Sequence, residues 1–182
     1  MTEKEKCDLG LMYNPMEFIG DMFAARDKCT EYSNIPFSEF ERRTEFIKNF
    51  FGKTGEKVFV ENGFKCNLGY NIEVGENFYC NFNCTIYDAG KVKIGDNVMF
   101  GPCVTLCTAT HPTKASERLN EAGEELSFPI TIGDNVWIGG GVTILPGVTI
   151  GDNTVVAAAS VVTKSFPGNV VVAGNPARII RE

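Results

Sequence analysis

The chain has 182 residues, 43% hydrophobic and 22% charged, which excludes intrinsic disorder and leaves room for one domain with a small appendage. With 17 basic residues against 23 acidic ones the net charge is −6, which excludes a general nucleic-acid-binding surface. The longest apolar run is too short to cross a bilayer, and no apolar signal-type stretch follows the charged start at Met1 to Lys6, so the chain reads as cytoplasmic with no membrane partner.

Residues 1–53 carry helical patterning. Phe18, Ile19, Met22 and Phe23 are spaced for one face of a helix. Ser38-Glu39-Phe40-Glu41, after Pro36, reads as a capping box. Phe40, Phe46, Ile47, Phe50 and Phe51 then line a second helical face that ends at Gly52. The segment reads as a helical cap over the open end of the structure that follows.

Residues 54–182 repeat. Ile94-Gly-Asp-Asn-Val98, Ile132-Gly-Asp-Asn-Val136 and Ile150-Gly-Asp-Asn-Thr154 are near copies, with Val74-Gly-Glu-Asn-Phe78 a weaker fourth. Ile132, Ile138, Ile144, Ile150, Val156 and Val162 stand six apart, as do Ile94, Phe100 and Leu106, and Val74, Cys80 and Ile86. A small or branched residue follows each by four, among them Val98, Val104, Val136, Val142, Val148, Thr154 and Ser160. A period of six is not helical, since 3.6 does not divide it. It fits two- or three-residue strands broken by Gly-Asp-Asn and Pro-Gly turns. Three hexapeptides make one coil of a three-sided parallel β-helix, and stacked coils bury a core that one repeat alone cannot. A β-sandwich with coincidental spacing is the competing reading, and six consecutive matches oppose it.

The period breaks twice. Two extra residues fall near Asp88-Ala89-Gly90, and 20 more between Leu106 and Ile132. The polar segment at about 112–131 reads as a projecting loop, and such loops often carry function. The cysteines, at 7, 29, 66, 80, 84, 103 and 107, read as reduced thiols packed in the core. The four-residue steps Cys80–Cys84 and Cys103–Cys107 do not have zinc spacing, and with a single histidine no metal is expected.

Gly69-Tyr-Asn-Ile72, Asn77 to Asn83, Thr108-Ala-Thr-His-Pro112, Val136-Trp-Ile-Gly139, Pro146 to Asp152, Val162-Thr-Lys164 and Gly174-Asn-Pro-Ala-Arg178 together resemble the hexapeptide-repeat acyltransferases, in particular the maltose and galactoside O-acetyltransferase group. The helical N-terminus resembles that group's capping domain more loosely. The resemblance implies an all-β solenoid whose parallel β-helix is left-handed. It further implies a homotrimer, acetyl-CoA in grooves between neighbouring prisms, and a sugar hydroxyl as acceptor.

It also implies roles. His111, the sole histidine, matches the catalytic base, and a neutral imidazole suits removal of a hydroxyl proton at pH 7. Cys107 competes as a nucleophile, its alternative being a packing thiol. Asn81 and Asp88, on a coil below His111, are expected at the acceptor, against readings as a turn residue and a capped corner. Tyr79 and Asn67 join the acceptor set. Asn67 stands where galactoside-type members have serine, and Ala89 where they have an acid. Their N-terminal acid has no counterpart near Asn14-Pro15. Thr163, Lys164, Arg178 and Arg181 are expected on the nucleotide phosphates, with a solvated tail as the alternative for the arginines. Gly140, which replaces a serine of some members, and Ala158 line the pantetheine path. Trp137 is a wall of the acyl channel or an interface anchor. Gly139-Gly-Gly141 opens no helix and is no dinucleotide fingerprint.

The competing functions are acetyl transfer to an antibiotic or amino sugar, and a non-catalytic β-helix trimer. A carbonic-anhydrase-like zinc enzyme needs three histidines and is excluded.

Overall fold

The computed structural model describes residues 1–119 and 123–182. Helix α1 (Glu3–Asp8) leads through a 3-10 turn (Pro15–Phe18) to α2 (Ile19–Asn34) and α3 (Phe40–Phe50). A solenoid follows. Its first coil is β1 (Val58–Val60), β2 (Lys65–Cys66) and β3 (Ile72–Val74), and its second is β4 (Phe78–Cys80), β5 (Thr85–Tyr87) and β6 (Val92–Ile94). The third coil runs β7 (Met99–Phe100) and β8 (Thr105–Cys107). It leaves the prism through β9 (Ala109–Thr110), α4 (Ala115–Arg118) and β10 (Leu126–Ser127), and closes with β11 (Ile130–Ile132). The fourth is β12 (Trp137–Ile138), β13 (Thr143–Ile144) and β14 (Thr149–Ile150), and the fifth is β15 (Val155–Val156) and β16 (Val161–Val162). A terminal pair, β17 (Val171–Gly174) and β18 (Ala177–Arg181), ends the chain.

Three parallel sheets make three faces. The first stacks β1-β4-β7-β12-β15-β17, with β18 added antiparallel. The second stacks β2-β5-β8-β13-β16, and the third β3-β6-β11-β14. The hexapeptide aliphatics all point inward: Ile86, Leu106, Ile138, Ile144, Val156 and Val162 are fully buried, and Val98, Val104, Val136 and Val142 fill the corners beside them. Burying one such side chain contributes roughly 1.5–3 kcal/mol.

The Gly-Asp-Asn turns bind the coils to one another. Asn77, Asn97, Asn135 and Asn153 adopt positive φ near 56°, which asparagine tolerates better than most residues. Their amides form a continuous ladder, Asn77 donating to Asn97 (2.8 Å), Asn97 to Asn135 (3.0 Å) and Asn135 to Asn153 (3.0 Å). Beside it, each Asp carboxylate accepts a main-chain amide from the coil before, Asp152 from Asp134 N and Asp134 from Asp96 N, both at 2.8 Å. The glycine is obligatory there, because a Cβ on Gly133 would stand 2.0 Å from Asp152 Oδ1.

Early and late coils differ in length. Thr85 pairs with Thr105 at a separation of 20, whereas Thr143 pairs with Val161 at 18. The two extra residues read near Asp88 lie at the corner between the second and third faces. Ile130 and Thr131 are already back in the third face, so the projecting segment ends sooner than 131.

Two helical expectations are corrected. The helix after Pro36 begins at Phe40 with Glu39 at its N-cap and no side-chain capping bond, and Glu39 instead pairs with Arg42 at 2.8 Å. A capping box does exist, at Thr2 and Glu5 of α1. Helices α2 and α3 close the end of the solenoid through Cys29, Tyr32, Ile47, Phe50 and Phe51, which join its core. Helix α1 and Tyr13 instead lie along the flank, packed with Ala89.

Candidate functional site

The prism has two edges that matter. The first, between the first and second faces, holds Asn81, Gly140 and Ala158. The second, between the second and third faces, holds Asn67, Asp88 and Thr163-Lys164, and from it the segment carrying His111 departs.

His111 stands at the exit of β9 with its side chain 53% exposed. Thr108, fully buried, sets that exit: its hydroxyl donates to Tyr87 O at 2.8 Å and accepts the Gly90 amide at 2.9 Å. β9 and β10 pair antiparallel, Thr110 opposite Leu126, which brings Glu125 level with His111. Glu125 Oε2 lies 3.9 Å from His111 Nε2. Arg118 Nη1 donates to the carbonyls of Pro112 (2.9 Å) and Thr113 (3.1 Å), closing the turn just beyond. The other Glu125 oxygen accepts the Tyr13 hydroxyl, and the two residues exchange both backbone N–H···O bonds at 3.1 Å. Burial and the facing carboxylate push the Tyr13 phenol well above its ordinary range.

Cys107, half-buried, donates its thiol to Ala109 O at 3.5 Å. Burial pushes its pKa up, which is the wrong direction for a nucleophilic thiolate.

Asp88 is fully buried, and its oxygens accept the amides of Asn67 (2.8 Å), Leu68 (2.8 Å) and Gly69 (2.7 Å). It is the clamp of the second edge, and the capped-corner reading describes it better than an acceptor contact. Desolvation pushes its carboxyl up to about 6, while the three amides hold it down. Asn67 borders an open cleft of about 500 Å³ between α2 and the second face, with Arg26, Cys29, Lys65, Cys66 and Tyr87.

Asn81 does lie one coil below His111, but not on the same edge. Its direct neighbour above is Gly101, whereas Asp88 lies beneath Thr108. Its Oδ1 accepts the Phe82 amide at 2.8 Å. Tyr79 faces outward from the first face, stacked on Phe59 with centroids 5.8 Å apart, and its hydroxyl donates to Glu61 Oε1 at 3.3 Å. Within one chain the width of the second face therefore separates Asn81 and Tyr79 from His111.

Gly140 and Ala158 are stacked on the first edge, Ala159 N donating to Gly140 O at 2.9 Å. Gly140, Gly141, Ala157, Ala158 and Ala159 are the small residues of this stretch of the edge, so a slender chain can run along it. Trp137, 52% exposed, lies on the first face between Met99 and Val155. Thr163 and Lys164 are exposed on the second edge, with Lys164 Nζ 5.7 Å from the Phe166 ring centroid. Arg178 and Arg181 are exposed on β18. These three cations form no ion pair among the described residues, so their charge is available to an anion. Among those residues no group of three or more His, Cys, Asp or Glu is placed to hold a metal, and no helix is long and apolar enough to cross a membrane.

Tyr13 and Glu125 were not legible as site residues. Only the antiparallel pairing of β9 with β10, across 16 residues of sequence, brings Glu125 beside the histidine.

Residues 129–164 match the bacterial transferase hexapeptide family (six repeats), and residues 6–55 match the maltose acetyltransferase hexapeptide capping motif. The chain is 53% identical over 152 residues to a galactoside O-acetyltransferase of Escherichia coli (strain K12), covering 84% of this chain and 74% of that protein. It superposes on the crystal structure of a maltose O-acetyltransferase from Clostridium difficile 630 with a TM-score of 0.96 and 44% identity, over 100% of this chain and 97% of that one. It superposes on a galactoside acetyltransferase in complex with coenzyme A with a TM-score of 0.95 and 45% identity, over 100% and 91%.

Proposed function

The chain belongs to the hexapeptide-repeat O-acetyltransferases of the maltose and galactoside group and is an acetyl-CoA-dependent sugar O-acetyltransferase, and we propose that His111 is the general base of its transfer step. His111 itself carries this reading: it is the sole imidazole of the chain, exposed on a segment fixed by Thr108 and Arg118, with a carboxylate behind it. The acceptor hydroxyl attacks the thioester carbonyl while the imidazole nitrogen turned away from Glu125 takes its proton. The tetrahedral intermediate collapses with cleavage of the carbon–sulfur bond. The imidazolium then returns the proton to the departing thiolate, leaving the acetyl ester and coenzyme A. A thioester is activated enough that no acyl-enzyme is needed, and the raised pKa of Cys107 fits direct transfer.

Lys164, Arg178 and Arg181 supply the charge for the CoA phosphates, and the Gly140–Ala158 edge admits the pantetheine chain. The site residues divide between two edges, so one chain holds half of each site. We place Asn81 of one protomer against His111 of the next in a homotrimer. The faces support this arrangement. Phe59, Tyr79, Met99, Trp137, Val155 and Val171 form a registered, largely apolar ladder along the outside of the first face. The third face shows Glu73, Lys93, Thr131 and Thr149, which suit solvent. An acceptor panel of maltose, glucose and galactosides, read by free-thiol release from acetyl-CoA, tests the function. Turnover that His111→Ala abolishes supports it, and thiol release with none of these acceptors sinks it.

A further inference from the structure

We propose that Tyr13 and Glu125 act as a positioning pair that fixes the tautomer and orientation of His111. This inference rests on His111 being the general base. Glu125 is 7% exposed and Tyr13 is 1% exposed, yet one carboxylate oxygen of Glu125 faces the exposed imidazole. A buried carboxylate needs its lone pairs filled. Tyr13 fills one oxygen with its hydroxyl, leaving Oε2 directed at His111 Nε2, 3.9 Å away. A small rotation of the imidazole closes that gap to a hydrogen bond, as apo sites commonly require. The carboxylate then accepts from Nε2–H, so Nδ1 keeps its lone pair for the acceptor proton. The imidazolium formed on proton transfer also gains a facing negative charge.

The pair is rigid. Tyr13 and Glu125 are joined by two backbone hydrogen bonds, and the Phe18 ring meets the Tyr13 ring edge-on, with centroids 6.1 Å apart. Glu3 Oε2 accepts the amide of Asn14 at 2.6 Å, tying this segment to α1. The N-terminal region therefore reaches the chemistry through one phenol, in addition to closing the solenoid. Tyr87 on β5 and Cys107 on β8 also sense the Glu125 charge, and Tyr87 senses the Arg26 guanidinium as well.

The test uses the fact that the protein has one histidine, so its imidazole nitrogen resonances are unambiguous. Wild type should show the Nε2–H tautomer. In Glu125→Gln the Tyr13 hydroxyl still donates and so pins the amide oxygen, which turns the amide NH2 toward the imidazole. Nε2 must then accept, the tautomer inverts to Nδ1–H, and kcat should fall about 10²-fold or more with the KM for acetyl-CoA unchanged. Adding Tyr13→Phe frees the amide to flip, so the double variant should recover part of the lost kcat. Three results overturn the pair: an Nδ1–H tautomer in the wild type, a Glu125→Gln variant with wild-type tautomer and turnover, or a double variant slower than Glu125→Gln. The wild-type spectrum decides the matter even if Glu125→Gln fails to fold. His111→Ala, assayed in parallel, separates the two readings: if it retains turnover, the general-base assignment fails, whereas the tautomer measurement tests the pair without reference to activity.

Discussion

Arg43, buried in α3, donates from Nη2 to the carbonyl of Val60 at 3.2 Å and so ties the helical cap to the first coil of the solenoid. Its Nη1 donates to Ile35 O at 2.9 Å, and its guanidinium lies 4.2 Å from the Tyr32 ring centroid. Three elements therefore meet on one side chain. Arg43→Ala withdraws a donor from the carbonyls of Tyr32, Ile35 and Val60, of which Val60 keeps the Tyr32 hydroxyl, and leaves a cavity under Tyr32, so it should cost about 3 kcal/mol or more in urea unfolding. Arg43→Lys keeps the charge without the fork and should lose an intermediate amount. A loss below about 1 kcal/mol in the alanine variant would contradict the clamp.

Asp88 gives a pH-dependent prediction. Its carboxyl is raised from 3.8 to about 6 in the folded state, chiefly by desolvation. A group raised on folding adds stability while it is protonated, and that contribution is lost as pH rises through the folded value. The stability margin of wild type over Asp88→Asn should therefore narrow from about pH 4 to about pH 6 and stay level above it. At pH 7 the asparagine variant should still be less stable, by about 1–3 kcal/mol, because its NH2 cannot accept from all three amides. A margin that widens with rising pH would show that the amides outweigh desolvation.

The solenoid was legible because its information is local. Every sixth aliphatic from Ile132 to Val162 is buried, and the Gly-Asp-Asn turns explain themselves through neighbours one coil away. The same period could have separated the site residues by edge. One coil above Asn81 stands Gly101 and one above Asp88 stands Thr108, so Asn81 and His111 do not share an edge. Non-local partnerships were not legible. Glu125 meets Tyr13 across 112 residues, and Asp88 caps amides 19 to 21 residues before it. Ser38 was misread because a capping pattern was present, whereas the helix starts beyond it, at Phe40.

The late cations should act on binding. Lys164 is exposed on the second edge two coils above the exit of the His111 segment, and Arg178 is exposed on β18. Phosphate contacts remote from the reacting carbonyl act equally in ground and transition states. Lys164→Ala and Arg178→Ala should each raise the KM for acetyl-CoA about tenfold and leave kcat within about threefold. A collapse of kcat at unchanged KM would assign these residues to another task.

Assembly can be tested on the first face. Met99 is 52% exposed at the centre of the apolar ladder, between Tyr79 and Trp137. Light scattering of the wild type should give three times the chain mass of 20.0 kDa. Met99→Glu places a charge in that ladder and should shift the mass toward the monomer, with activity lost in parallel because each site would then lack half its residues. A wild-type monomer would remove the shared site, and an intact Met99→Glu trimer would move the interface to another face.

The decisive variant is His111→Ala. A positioned general base contributes about 10²- to 10⁴-fold to kcat, so the variant should lose about 3 to 5 kcal/mol of transition-state stabilisation. Acetyl-CoA affinity should change little, since the groups assigned to the cofactor, Gly140, Ala158, Lys164 and the two arginines of β18, are all intact. Cys107→Ala separates direct transfer from an acyl-enzyme. If transfer is direct, this variant keeps turnover, and no acetylated protein accumulates in the mass spectrum when acetyl-CoA is supplied without acceptor. The half-buried setting of Cys107, with its pKa raised, already favours that outcome. A His111→Ala enzyme with near-normal turnover, or a dead Cys107→Ala enzyme with an acetylated wild type, would replace this mechanism with a covalent one.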